Sequence, residues 1–212
     1  MINTFRTLPK DVGIAFSGGV DSVVLFHVVK SLKRNITLFT YDHLTETSKQ
    51  ELAFAQNFAS INNVKLVVER QPQDVPKGDS KERYWSECRN QWFNKQSIPI
   101  ATGHHLNDAA EWFLMTSLQG GQDGYLLDYQ NKNVIRPLII ASKNSILTYA
   151  THFKLEYIHD ETNNDVNFNL RNKVRHKLLP EVLNTFPGFL KSVRIKIEEK
   201  EKRKLNEHNG FL

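Results

Sequence analysis

The first half of the chain alternates short apolar runs with segments whose apolar residues recur at helical spacing. The runs predict four strands, at residues 12–16, 36–42, 64–70 and 98–103. Each strand is followed by a predicted helix, at residues 20–33, 48–61, 81–96 and 107–118. Because this order builds βαβ units, it predicts an α/β fold with a parallel twisted sheet and helices on both faces.

The pattern changes after residue 118. A short strand, a turn and a helix are predicted between residues 133 and 153, and a polar segment then leads into a basic helix. The stretch 188–205 is typical of one charged helix, and residues 168–204 hold eleven Lys or Arg against four Glu. We therefore expect one domain at residues 1–183 and a basic, helical C-terminal tail at 184–212.

Composition narrows the class of protein. Apolar residues make up 40% of the 212, which allows a sizeable core, and the net charge of +5 favours a polyanionic partner. The single cysteine, Cys88, excludes a disulfide framework or a cysteine metal cluster within one chain. Neither a signal peptide nor an apolar run of about 20 residues is evident, so we expect a soluble cytoplasmic protein. The oligomeric state stays open, a homodimer included.

The sequence Ser-Gly-Gly-Val-Asp-Ser lies at residues 17–22, between the first predicted strand and helix. Glycines there allow positive φ and close approach of a ligand, and the helix that follows offers unpaired N–H groups to an anion. The segment matches neither a Walker loop nor the dinucleotide fingerprint. Asp21 would repel a phosphate unless it holds Mg²⁺ or caps the helix. The alternative is a tight glycine turn with an N-cap.

Polar residues also follow two other predicted strands, as Asp42-His43 and His104-His105. Since ligands of parallel sheets bind beyond the carboxyl ends of the strands, we expect these clusters to form one site with residues 17–22. Asp108 and Glu111 share a face of the next helix. Two carboxylates there suit Mg²⁺, a cationic substrate or both, although acids are also favoured at any helix N-terminus.

These motifs carry a family resemblance. Residues 17–22 resemble the pyrophosphate loop of the N-type ATP pyrophosphatases, which have an adenine nucleotide alpha hydrolase-like, Rossmann-like fold and split ATP into AMP and pyrophosphate. The pattern H-x-x-D-x-x-E at residues 105–111 is similar to one in the tRNA(Ile)-lysidine synthetases of that superfamily. So are I-R-P-L-I at 135–139 and D-x-T-N-x-D followed by R-N-x-x-R between residues 160 and 175. The resemblance covers roughly residues 12–183.

The resemblance implies a set of site residues. ATP would bind Ser17, Gly18, Gly19, Val20, Asp21 and Ser22, with Asp42 and His43 beside the adenine. Asp21 would also hold Mg²⁺. The catalytic residues would be Asp21, His105, Asp108 and Glu111. Contacts to tRNA or to phosphate would come from Arg89, Arg136, Arg171, Asn172 and Arg175.

The implied reaction joins lysine to C2 of the wobble cytidine of tRNA(Ile) with a CAU anticodon. It uses ATP and Mg²⁺, passes through an adenylated cytidine, and releases AMP and pyrophosphate. The chain departs from the family pattern at Ser86, Asn90, Asn107, Gln119 and Gln122. The alternatives are another tRNA-modifying enzyme of the superfamily, such as a thiolase, or a relative that binds ATP or RNA without catalysis.

Overall fold

The computed structural model describes residues 2–72, 75, 81–119, 127–158 and 170–209. The strands are β1 (Asp11–Ala15), β2 (Asn35–Asp42), β3 (Lys65–Arg70), β4 (Ile100–Ala101), β5 (Gln130–Asn131) and β6 (Val134–Ile135). The first five helices are α1 (Val20–Ser31), α2 (Glu46–Asn62), α3 (Lys81–Asn94), α4 (Leu106–Leu118) and α5 (Lys143–His152). The last three are α6 (Leu170–Lys173), α7 (Leu179–Thr185) and α8 (Phe189–Asn209).

The strands form one sheet in the order β3-β2-β1-β4-β6-β5. β1 pairs in parallel with both β2 and β4, and β4 pairs in parallel with β6. The predicted α/β fold with a mainly parallel sheet is therefore confirmed. One prediction needs correction, because β5 runs antiparallel to β6. The two strands are joined by so few residues that only a hairpin can connect them.

Side chains alternate between the two faces of the sheet, as the pleat requires. Ile14 and Leu38 point into a core shared with α1, α2 and α5. Phe39 and Ile100 pack on the opposite face with α3. Both faces of the central strands are therefore covered by helices, which explains why β1 and β2 are nearly continuous apolar runs.

Helix α8 packs against α4. Val193 and Ile197, each 1% exposed, join a cluster with Ala109 and Ala110 of α4. An ion pair of 2.8 Å between Arg6 and Glu201 adds a link to the N-terminal segment. The tail thus has apolar and ionic contacts with the α/β domain, and the boundary at residues 183–184 stays a prediction.

Two local features differ from the predicted boundaries. β4 has two residues where six were predicted, because only Ile100 and Ala101 pair with β1 and β6. The predicted basic helix consists of α6 and α7 joined by a π-helical segment at Val174–Leu178. None of the described helices is both long and apolar enough to cross a membrane.

Candidate active site

A cleft of about 330 Å³ opens beyond the carboxyl ends of β1, β2 and β4. This is the edge of the sheet where ligands of parallel α/β folds bind. The cleft is lined by many of the polar residues that the sequence singled out, namely Ser17, Asp21, Ser22, His43, Arg89, Asp108, Arg136, Arg171 and Arg175. The polar clusters that follow separate strands therefore do meet in one place.

Residues 17–22, the glycine loop, connect β1 to α1. The Ser17 and Ser22 hydroxyls lie 3.4 Å apart, and the Ser22 hydroxyl donates to the Gly19 carbonyl at 2.9 Å. Gly19 is the N-cap of α1 and provides no side-chain cap. The first N–H groups of α1 thus lack a side-chain acceptor at the rim of the cleft, which leaves them suited to bind an anion.

Two glycines are required for the shape of this rim. Gly18 has φ +79°, and a Cβ there would come within 2.9 Å of the Phe54 ring. At Gly103, directly after β4, a Cβ would come within 3.1 Å of the Asp21 backbone and side chain. A side chain at either position would displace the glycine loop.

The Asp21 carboxylate forms an ion pair with Lys143, the first residue of α5. The Lys143 ammonium lies 2.6 Å from one oxygen and 2.9 Å from the other. Both side chains are 35% exposed. The His105 Nε2 lies 3.6 Å from the same carboxylate. Asp21 therefore does not cap α1, and its charge is balanced from outside the glycine loop.

Asp108, Glu111, Arg171 and Arg175 form an ion-pair cluster on the far side of the cleft. The Arg171 guanidinium donates to Asp108 at 2.7 Å and to Glu111 at 2.9 Å. That of Arg175 donates to Asp108 at 3.0 Å and to Glu111 at 2.7 and 3.1 Å. The two carboxylate side chains are at most 9% exposed and the two arginines 30%. The acids thus hold the arginines at the cleft.

The position of Asp108 depends on the start of α4. Its carboxylate accepts from the His105 N–H at 2.9 Å, and its own N–H donates to His105 Nδ1 at 3.3 Å. Burial favours protonation of Asp108, but the electrostatic influence of His105 and Arg171, together with the hydrogen bond from the His105 N–H, lowers its pKa well below the usual range. Asp108 is therefore a permanent anion at any physiological pH.

His104 lines the cleft beside Arg136. Its Nδ1 lies 2.7 Å from the Thr102 hydroxyl. Burial, assisted by the charges of Arg136 and Arg171 and opposed by Asp108, lowers the pKa of His104 to about 4. Its ring is therefore neutral near pH 7.

Arg89 of α3 also lines the cleft. Burial is the main reason that its pKa is lowered, and Arg171 adds to the effect. Within the described residues, no carboxylate lies within ion-pair distance of Arg89. A desolvated arginine that faces a cleft in this way is suited to bind an external anion.

Several predicted site residues lie away from the cleft. The Asp42 carboxylate accepts from the Leu44 N–H and the Ser48 hydroxyl, both at 2.9 Å, at the start of α2. His105, Glu111 and Asn172 are buried, with 4%, 1% and 6% exposure. The glycine loop itself contains Gly18, Gly19 and Val20.

Some motif residues lie outside the described part of the chain, namely Gln122, Asp160, Thr162, Asn163 and Asp165.

Sequence reasoning missed Lys143 and did not single out His104. Lys143 is 122 positions from Asp21, and only the sheet order brings α5 beside the glycine loop. Its one local signal is a basic residue shortly after a strand that ends at the rim. His104 was noted as a polar residue at a strand end but not distinguished from His105.

The next question is whether the residues of the cleft could hold a metal ion. Among the described residues, no three His, Cys, Asp or Glu side chains come together as a metal site. Mg²⁺ is often held by one or two carboxylates together with substrate phosphates and water. Asp21, about one-third exposed at the cleft beside the uncapped N–H groups of α1, fits that arrangement.

Comparison with known proteins gives the family. A profile described as "PP-loop domain" matches residues 3–182. A tRNA(Ile)-lysidine synthase from Lactiplantibacillus plantarum is 32% identical over 201 residues, which cover 87% of this chain and 44% of the relative. One from Thermosipho africanus is 32% identical over 195 residues, covering 85% and 45%. The chain thus spans somewhat less than half the length of these relatives.

Among solved structures, an NH3-dependent NAD synthetase from Campylobacter jejuni is 13% identical, with a TM-score of 0.46 over 92% of this chain and 86% of the other. At that level the likeness bears on neither substrate nor activity. The profile match, by contrast, includes the glycine loop, the whole sheet and the ion-pair cluster. This chain therefore belongs to the PP-loop domain family.

Proposed function

We propose that this chain carries the catalytic site of a tRNA(Ile)-lysidine synthase, a ligase that uses ATP to join lysine to the wobble cytidine of tRNA(Ile) with a CAU anticodon. The observation that carries the proposal is the single cleft that gathers the glycine loop, Asp108 and four arginines at the carboxyl edge of the sheet. The names of the relatives support it, and a tRNA substrate implies a cytoplasmic enzyme.

The proposed chemistry has two displacements. The cytidine O2 attacks the α-phosphorus of ATP, and pyrophosphate leaves. The deprotonated ε-amine of lysine then attacks C2 of the adenylated base, and the bond to AMP breaks. Mg²⁺ would neutralise phosphate charge beside Asp21. The protein's part in both steps is to position the reactants and to stabilise the charge that develops.

The residues of the cleft suit this division of work. The N–H groups and hydroxyls of the glycine loop would hold the triphosphate. Asp108 lines the cleft and remains ionised, so it would receive the lysine ammonium in competition with the arginines. Glu111 would keep Arg171 and Arg175 in place. His105 does not line the cleft, but its Nε2 lies 3.6 Å from the Asp21 carboxylate, so we assign to it the proton released by the ammonium.

A tRNA requires cationic surface beyond the cleft. Helix α8 offers exposed Lys191, Lys196, Lys202 and Arg203. Within the cleft, Arg89 and Arg136 are further candidates for phosphate contacts. We assign these side chains to the tRNA or to pyrophosphate.

The test is incorporation of labelled lysine into an unmodified tRNA(Ile) transcript in the presence of ATP and Mg²⁺. Only alkali-stable label is scored, which excludes an aminoacyl ester. A transcript whose wobble cytidine is replaced by uridine serves as the RNA control. Asp108→Asn is compared with Asp11→Asn, an exposed aspartate at the start of β1.

We expect stable label that needs ATP, is absent from the uridine transcript, is lost in Asp108→Asn and is kept in Asp11→Asn. Lack of label from folded protein that binds ATP would exclude the lysidine reaction. Pyrophosphate release with other tRNAs would then indicate a different tRNA-modifying enzyme. Binding of ATP and tRNA without any release would indicate a non-catalytic relative.

A further inference from the structure

Lys143 has a position that the proposed reaction does not yet use. It is the first residue of α5, and its ammonium contacts both oxygens of Asp21, at 2.6 and 2.9 Å. Asp21 lines the cleft within the glycine loop. The Lys143 ammonium therefore lies beside the glycine loop, although its helix begins more than 100 residues later in the chain.

We propose that Lys143 is a phosphate-binding residue, which pairs with Asp21 in the free protein and with the β- or γ-phosphate when ATP binds. The proposal rests on the proposed function in one respect, namely that the glycine loop binds ATP. It adds a residue that the motifs of the loop do not contain, since no lysine occurs between residues 11 and 29.

The electrostatics of the loop support this assignment. Asp21 lies beside the N–H groups that would hold phosphates, and an unpaired carboxylate there would repel a polyphosphate. Lys143 removes that repulsion in the free protein. Asp21 would hold the Mg²⁺ that accompanies a triphosphate, and the Lys143 ammonium would then be free to turn toward a phosphate oxygen.

The side chain is able to make that exchange. A lysine ammonium is a compact charge on a flexible stem, and the 35% exposure of Lys143 leaves its end partly in solvent. The backbone, by contrast, is fixed. The Lys143 N–H donates to the Asn107 side chain at 2.9 Å, which ties the start of α5 to the start of α4. Asn107, one of the departures from the family pattern, is thus a positioning residue for Lys143.

The test compares the binding of ATP, AMP and pyrophosphate by calorimetry, with Mg²⁺ present and absent. The variants are Lys143→Met, Lys143→Arg and, as the matched control, Lys95→Met, an exposed lysine just beyond α3. A charged hydrogen bond to phosphate contributes about 1.5–3 kcal/mol, so Lys143→Met should bind ATP and pyrophosphate about 10- to 100-fold more weakly. AMP affinity should change less than about 2-fold, because AMP lacks the β- and γ-phosphates.

Lys143→Arg should recover most of the ATP affinity, and Lys95→Met should match the wild type. Equal weakening of ATP and AMP by Lys143→Met would mean a purely structural link and would overturn the inference, as would an unchanged ATP affinity. If the wild-type chain does not bind ATP, the proposed function and this inference both fail. If it binds ATP through Lys143 but never incorporates lysine, only the proposed function fails.

Discussion

The glycine loop and the ion-pair cluster face each other across the same cleft, yet they are built in opposite ways. The loop takes its polar groups from six consecutive residues and leaves the N–H groups of α1 without a side-chain cap. The cluster joins α4 to α6 and the segment after it, 60 to 67 positions away, and its four side chains satisfy one another. The N–H groups of the loop are available to a ligand, whereas the charged side chains of the cluster are already paired with one another.

This difference separates function from stability. Substitutions in the glycine loop should affect ligand binding and leave folding nearly intact. Substitutions in the ion-pair cluster should weaken folding, because a buried charge that loses its partner has no water to replace it. With the proposed substrates, a lysine ammonium entering the cleft would compete with guanidinium groups for Asp108, whereas a triphosphate at the loop would displace only the Lys143 ammonium.

Loss of Glu111 should give the largest change. Its side chain is 2% exposed and accepts from both Arg171 and Arg175. Glu111→Gln keeps the volume but removes the charge, so we expect the free energy of unfolding to fall by about 3 kcal/mol. Urea unfolding would measure it. The control is Glu198→Gln, which removes an exposed pair with Arg194 and should cost less than about 1 kcal/mol. Similar losses of unfolding free energy in Glu111→Gln and Glu198→Gln would contradict the structural role of the ion-pair cluster.

Asp21→Asn should show the reverse behaviour. The pair with Lys143 is one-third exposed, so its loss should change the free energy of unfolding by less than about 1 kcal/mol. With the proposed function, the rate of lysine incorporation should fall about 100-fold, since the carboxylate that would hold Mg²⁺ at the triphosphate is gone. Kinetics and urea unfolding on the same preparation would test both. A large loss of stability with a normal rate would place Asp21 with the ion-pair cluster.

Arg89 and Arg175 allow a direct comparison. Arg89 has no carboxylate partner among the described residues, whereas Arg175 is paired with Asp108 and Glu111. Arg89→Met should weaken ATP or tRNA binding about 10-fold, while the free energy of unfolding stays constant or rises, because burial already disfavours its charge. Arg175→Met leaves Oε1 of Glu111 without its donor and should lower stability. Filter binding and urea unfolding would measure these effects. Equal destabilisation by both substitutions would show that Arg89 is also structurally paired.

A pH effect should be the smallest. In the folded chain the pKa of His104 is about 4, against 6.5 ordinarily, so between these values the unfolded chain binds more protons. The free energy of unfolding should therefore rise with pH from 4 to 6.5. His104→Asn should remove about 1 kcal/mol of that change at pH 5, since the ring is only partly buried. Unfolding curves at pH 5 and 7 would measure the difference, and equal slopes in variant and wild type would contradict it.

Much of the fold could be predicted from the sequence. Residues 12–42 contain two buried strands and a helix whose boundaries differ from the structure by at most two residues. Apolar periodicity suffices there, since both faces of the strands are covered. Near residue 133 the sequence predicted the short strand that became β6, but it missed β5 and the antiparallel pairing. Two-residue strands are too short to have a period, and their pairing depends on the neighbouring strand β4.

For the site, the sequence by itself determined the glycine loop, because positive φ and uncapped helical N–H groups are local properties of residues 17–22. It also placed Asp108 and Glu111 on one helix face, since that follows from helical spacing. Only the tertiary structure decided which charges meet. Arg171 and Arg175 contact Asp108 and Glu111, and Lys143 contacts Asp21. Ion pairs between distant residues leave no periodic pattern in the sequence. Their partners depend on which helices the sheet brings together, because Coulomb attraction acts through space.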